Sequence, residues 1–172
     1  MSLLGRLFSK GSDPREEWRA LWYRTVEEAR DPDWYRMCGV ADTQEGRFDM
    51  ITLVLALVMM RLQNEPEVEI ATARLTELFV EDMEGQMREA GIGDPTVGKK
   101  ISALMASLNG RIGAYREGLD AGDRKVLVDA VRRNVTMAQE DEAEALVQRM
   151  AALHARFQRT GVETFRRGEI AA

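Results

Sequence analysis

The sequence predicts an all-α fold, a single compact domain of about six to seven helices. Three observations carry that expectation. Apolar residues recur at helical spacing in almost every segment, no β-type alternation of useful length appears, and Asp-Pro, Gly and Pro punctuate the chain where helices should start and stop. The 172 residues fit one domain, and 45% hydrophobic content is enough for a sizeable core, so disorder is not the expected state.

Asp13-Pro14 opens the first helix, with Asp13 as N-cap, Pro14 at the first helical position and Glu16 placed for a capping box. Trp18, Leu21, Trp22, Val26 and Ala29 then share one stripe. Asp31-Pro32 repeats the start signal for a short helix carrying Trp34, Tyr35 and Met37 up to Gly39, and the polar residues 40–46 predict a loop. Residues 47–64 form an apolar helix closed by Pro66, which cannot sit in a helix interior. Its most apolar stretch, Met50 to Met60, contains Thr52. It falls well short of the roughly 20 residues a membrane-spanning helix needs, so a buried core helix is expected. A fourth helix runs from about Glu67 to Ala90, with Leu75, Leu78, Phe79, Met83 and Met87 inward and Gly91 as its stop. Asp94-Pro95 starts a fifth that reaches about Leu119, and residues 120–123 break it. Val126, Leu127, Ala130 and Val131 mark a sixth helix. The last long one spans about Glu140 to Thr160 on a stripe of Leu146, Val147, Met150, Leu153 and Phe157. The expected layout is a flexible leader at 1–12, a helical domain at 13–160 and a fraying tail at 161–172.

With 29 acidic and 24 basic residues the net charge is -5, which argues against a uniformly basic nucleic-acid binder and against DNA as a partner. Charge is uneven, however. Lys99, Lys100, Arg111, Arg116, Arg124, Lys125, Arg132 and Arg133 face only Glu117, Asp120, Asp123 and Asp129 over the same stretch. That excess reads either as a solvated face or as a surface for anionic lipid headgroups or ribosomal RNA. The single cysteine, Cys38, forms no internal disulfide, and the start of the chain lacks a secretory signal, so a cytoplasmic protein is expected. Leu3, Leu4, Leu7 and Phe8 would share one face of a short helix beside Arg6 and Lys10, a segment suited to weak contact with a membrane surface.

Chemistry is sparse. Gly93 to Lys100 nearly spells a phosphate-binding loop, but Lys100 stands where a magnesium-liganding hydroxyl belongs. Pro95 removes a backbone donor, and the string follows a helix rather than a strand. A turn that starts a helix explains it better. The lone histidine, His154, has Ala151 three positions before it, so no Glu-x-x-His pair exists for a helical di-iron centre. Cys38 as a nucleophile would need that same histidine brought close by the fold. No catalytic residues, metal site or cofactor are expected. Ten methionines read as core filling or as an adaptable apolar binding surface. Ala103, Ser107, Gly110 and Ala114 form a small-residue stripe that, with Gly113, suggests a tight helix crossing.

Four ordered strings carry a resemblance: Asp42-Thr43-Gln44-Glu45-Gly46-Arg47-Phe48-Asp49-Met50, Leu78-Phe79-Val80-Glu81-Asp82-Met83, Gly91 to Lys100, and Gly110-Arg111-Ile112-Gly113-Ala114-Tyr115. Together, over about Trp22 to Leu119, they resemble the ubiquinol–cytochrome c chaperone family, the assembly factors of the cytochrome bc1 complex. Ser107-Leu108-Asn109 departs from the aromatic pair that the family places before Gly110. The resemblance implies a helical chaperone without enzymatic activity. Such a chaperone binds newly made cytochrome b, or another bc1 subunit in an early intermediate, near the ribosome and together with a second small assembly factor. Without a transit peptide, the chain is more like a bacterial member, peripheral to the cytoplasmic face of the inner membrane. A non-enzymatic scaffold or regulatory module for another protein partner stands as the alternative. A nucleotide-dependent enzyme, resting on Lys99 and the glycine string, is a third reading.

The strings also nominate a site. Asp42, Arg47, Asp49, Asp82, Asp94, Lys99 and Arg111 are expected to converge, with Tyr115, around a groove floored by apolar residues of the helix at 47–62 and lined by Met59 and Met83. A client helix needs an apolar trough, and charges at its rim set orientation. Asp94 also serves as an N-cap. Asp82 falls within an apolar stripe, so it should be partly buried and paired with Arg47, Lys99 or Arg111.

Overall fold

In the computed structural model, residues 13–89, 91, 94–139 and 142–170 are described, apart from the side chains of 94–96. The helices follow in the order α1 Glu16–Ala29, α2 Asp33–Arg36, α3 Gln44–Leu62, α4 Val68–Glu89, α5 Asp94–Ala121, α6 Arg124–Asn134, α7 Ala143–Arg159 and α8 Val162–Arg166. Six are long and two, α2 and α8, are short, in keeping with the all-α expectation.

The molecule is organised around α3. Every residue from Met50 to Met60 is buried, and a helix that is apolar on all sides needs neighbours on all sides. α1, α4, α5 and α7 supply them. Thr52 fits into this interior because its hydroxyl donates to the Phe48 carbonyl at 2.9 Å. On α1, Trp18, Leu21, Trp22 and Ala29 are buried, and the Trp22 ring meets Phe79 of α4 edge-on with centroids 6.1 Å apart.

Local signals set most boundaries. Asp31 Oδ1 accepts the Asp33 N–H, Thr43 Oγ1 accepts the Gly46 N–H, and Asp123 Oδ1 accepts from Lys125 and Val126. α1 begins at Glu16, later than expected, because the Asp13 carboxylate turns back onto the backbone N–H and guanidinium of Arg15. α3 begins earlier than expected, at Gln44, since Thr43 caps it, so the loop shrinks to residues 40–43. That loop runs against residues 136–139: Ala41 N–H donates to Thr136 O at 2.9 Å and Ala138 N–H to Gly39 O at 2.7 Å. Gly46 is required here, because a Cβ would collide with the Ala41 carbonyl oxygen.

Two expectations need correction. The small-residue stripe does not mark a tight crossing: a Cβ at Gly110 or Gly113 would meet nothing within 4 Å. The close approach falls instead at Gly118, where a Cβ would lie 2.5 Å from Leu127 Cγ of α6. The expected tail at 161–172 is folded as far as it is described. Phe165 of α8 is fully buried, 5.1 Å from the Phe157 ring, and Arg166 sits 4.7 Å above Trp18. The methionines follow the core-filling reading rather than that of an open surface, with Met50, Met59, Met60, Met83 and Met150 all buried. The leader at 1–12, with Leu3, Leu4, Leu7 and Phe8, lies outside the described residues. None of the described helices is long and apolar enough to cross a membrane.

Candidate partner-binding site

The nominated residues do not form one site. Asp49, Arg111 and Tyr115 belong to the interior. Asp49 Oδ1 accepts from Arg111 Nη2 at 2.6 Å, while Oδ2 accepts from the Thr136 N–H at 2.9 Å and its hydroxyl at 2.7 Å. One carboxylate thus ties α3, α5 and the segment after α6 together. Asp49 is 8% exposed and Arg111 7%. The ion pair is therefore largely desolvated, and its value lies in hydrogen bonds that offset the loss of water. Arg111 Nε and Nη1 and the Tyr115 hydroxyl are buried without hydrogen-bond partners among the described residues. Burial pushes the Tyr115 phenol far above its ordinary pKa; the Arg111 charge opposes that shift and the Asp49 charge adds to it. This cluster is a polar joint inside the fold.

Asp42 and Arg47 face outward. Arg47 Nε donates to Asp42 Oδ1 at 2.7 Å, with the two side chains 62% and 58% exposed. The hydrogen bond from Arg47 holds the Asp42 carboxyl below the usual carboxylate range. Both residues line a groove of about 860 Å³ between the end of α1, α2, the start of α3 and Gln86 of α4. Tyr35, Phe48 and Ile51 form its apolar floor, and α3 contributes to it through its first two turns. Arg30, Arg36 and Arg47 stand around it. The Tyr35 ring is fixed by its hydroxyl, which donates to the Ala29 carbonyl at 2.9 Å.

The remaining nominees lie elsewhere. Asp82 is half-buried on α4, beside Trp22, Tyr23 and Arg30. It makes no ion pair or hydrogen bond among the described residues, so the expected cation partner is absent there. Arg47 is held by Asp42, Arg111 by Asp49, and Lys99 is exposed on α5. Met59 and Met83 do not line the groove: at 6% and 2% exposure they pack in the core. The Asp94 side chain lies outside the described residues.

Enzyme-like readings find little geometry. α5 already runs from Asp94, so Gly98, Lys99 and Lys100 are helical and their N–H groups do not form a phosphate cradle. Cys38 is buried near Arg149, Asp33 and Glu142, and burial raises its thiol pKa. His154 lies near Asp120, pairs with Gln158 at 3.1 Å and is pushed down by burial. The two therefore make no nucleophile–base pair. Among the described residues no three His, Cys, Asp or Glu side chains gather as a metal site would need.

Sequence reasoning overlooked Arg30, Tyr35, Arg36, Gln86 and Thr136. Arginines on both sides of the Asp31-Pro32 turn were the available signal for the groove. Thr136 offered none, since its role depends on a carboxylate 87 residues away.

The chain is similar to the crystal structure of the Cbp3 homolog from Brucella abortus, with a TM-score of 0.80 and 28% identity, covering 98% of this chain and 96% of that one. A comparison with curated proteins gives no match. The family model for the ubiquinol–cytochrome C chaperone matches residues 36–172, so the likeness extends through the C-terminal third rather than ending near Leu119. The chain belongs to the ubiquinol–cytochrome C chaperone family.

Proposed function

We propose that this protein is an assembly chaperone of the cytochrome bc1 complex that holds newly made cytochrome b, or an early intermediate containing it, at the cytoplasmic face of the inner membrane. The family match over residues 36–172 carries the reading. The groove supports it physically. A floor of Tyr35, Phe48 and Ile51 receives an apolar face, and the arginines around it orient the client and reject wrong partners. The protein acts by binding, without catalysis, and a second small assembly factor shares the task. Leu3, Leu4, Leu7 and Phe8 supply a weak membrane contact, which liposome flotation of the full chain against one starting at Ser12 measures.

The test is deletion of the gene combined with crosslinking in membranes during cytochrome b synthesis. The expected result is a loss of b-type haem absorbance and ubiquinol–cytochrome c reductase activity, restored by the full chain, with cytochrome b in the adduct. A normal bc1 complex and an adduct free of bc1 subunits would overturn the proposal.

A further inference from the structure

We infer that the groove beside α2 docks an acidic, amphipathic polypeptide segment, whose carboxylates pair with Arg30, Arg36 and Arg47 while an apolar side chain rests on Phe48 and Ile51. This rests on reading the chain as a protein-binding chaperone and names the chemistry of the segment it takes.

The argument begins with pairing. Elsewhere on the molecule arginines are mostly matched: Arg15, Arg19, Arg61, Arg149, Arg156 and Arg166 each lie within 4.0 Å of at least one carboxylate. Around this groove the pattern reverses. Arg30 and Arg36 are exposed, and their guanidinium groups have no carboxylate partner among the described residues. Arg47 has only Asp42, which is the one acidic residue lining the groove. A chain with a net charge of -5 thus concentrates three cations against one anion at an apolar hollow. Three guanidinium groups in one place repel one another unless an anion joins them. Each also presents a planar fork of donors that matches a carboxylate.

Two further features specify the occupant. Gln86 also lines the groove, and its buried Nε2 has no acceptor among the described residues. The guanidinium forks call for an occupant rich in acceptors. The floor, in contrast, is apolar and concave, and about 860 Å³ holds a few side chains of a protruding segment. A flat bilayer would leave the apolar hollow unfilled, and the Asp42 carboxylate on the rim would face its anionic headgroups. A polypeptide avoids that conflict. The exposed Asp42–Arg47 pair is of the kind worth little in water, so Arg47 exchanges Asp42 for a partner carboxylate at small cost. Carboxylates three or four positions apart on a partner helix, flanking an apolar residue, would meet the rim and the floor together.

The experiment uses the full chain in cells that make the bc1 complex, with a photoreactive residue in place of Gln44, which is exposed at the groove. The attached peptide is sequenced. The expected adduct is a polypeptide with Asp or Glu within one helical turn of the attachment point. Arg30→Glu/Arg36→Glu should lower its yield about tenfold, and Lys in place of those partner carboxylates should restore it. Neither arginine is paired among the described residues, so the double variant should keep the parent's urea midpoint. A segment without carboxylates, a lipid adduct, no adduct, or a yield unaffected by charge reversal would each overturn the inference. The two proposals fail separately. An acidic segment from a protein outside the bc1 complex sustains the docking and removes the cytochrome b reading. Cytochrome b captured equally by the charge-reversed variant sustains the chaperone and removes the docking.

Discussion

Two ion pairs arise within one stretch of eight residues and behave as opposites. Asp42 pairs with Arg47 in open solvent, whereas Asp49 pairs with Arg111 where each side chain is about a tenth exposed. The outer pair spans five residues and the inner one 62, so the first is a local ornament and the second a tertiary joint. The contrast shows that a short recognisable string can hold two kinds of constraint. Gly46 and Asp49 are fixed by the interior: one leaves room for the Ala41 carbonyl, and the other satisfies Arg111 and Thr136. Asp42 and Arg47 answer to no interior demand and are free to serve a partner.

The strongest attack on this contrast is Asp49→Ala, which strands the Arg111 charge and both Thr136 donors. Urea unfolding should show a loss of about 3–5 kcal/mol. Adding Arg111→Leu should return part of that loss, because no buried charge is then left unpaired, and a double variant as weak as the single one would break the interpretation. Next comes the pair of glycines on α5. Gly118→Ala should cost about 1–3 kcal/mol by pressing on Leu127, whereas Gly113→Ala should gain about 1 kcal/mol, as thermal melts can resolve. A destabilised Gly113→Ala would mean that this face is covered after all. Arg47→Ala should leave the urea midpoint unchanged while reducing partner capture, because the pair stands in open solvent. Equal capture would leave the outer pair without a role. The smallest effect belongs to His154, away from both pairs. Burial lowers its pKa in the folded state, so its contribution to stability is present above the ordinary value of 6.5 and declines as pH falls. His154→Gln should flatten that part of a stability–pH curve.

The fold was legible wherever a local cause acts. Asp31 announces a helix start because its side-chain oxygen satisfies an N–H group only two residues on, whereas Thr43 caps α3 in the same local way but was hidden in a polar string that reads as loop. The burial of α3 could be read from its apolar run, which only Thr52 interrupts. α8 could not, since five residues are too few for a period to show, and its anchor Phe165 is visible only as a single aromatic. The small-residue stripe misled for a related reason: periodicity tells which residues share a face, not whether anything covers that face. At the site, the strings pointed to real interactions but not to their sides. Asp49 and Asp42 look alike in sequence, and only the positions of Arg111 and Thr136 send one inward.

The burial of α3 has a consequence for how the chain is made. Arg61, in its last turn, donates to the carbonyls of Phe157 and Thr160, 96 and 99 residues later. At a ribosome adding about 5–20 residues per second, α3 emerges roughly 5–20 s before the helix that closes over that end. For that interval its apolar run from Met50 to Met60 has only part of its native cover. Nascent chains stalled before Ala143 should therefore be prone to aggregate, and a member of a chaperone family begins its own life in need of shelter.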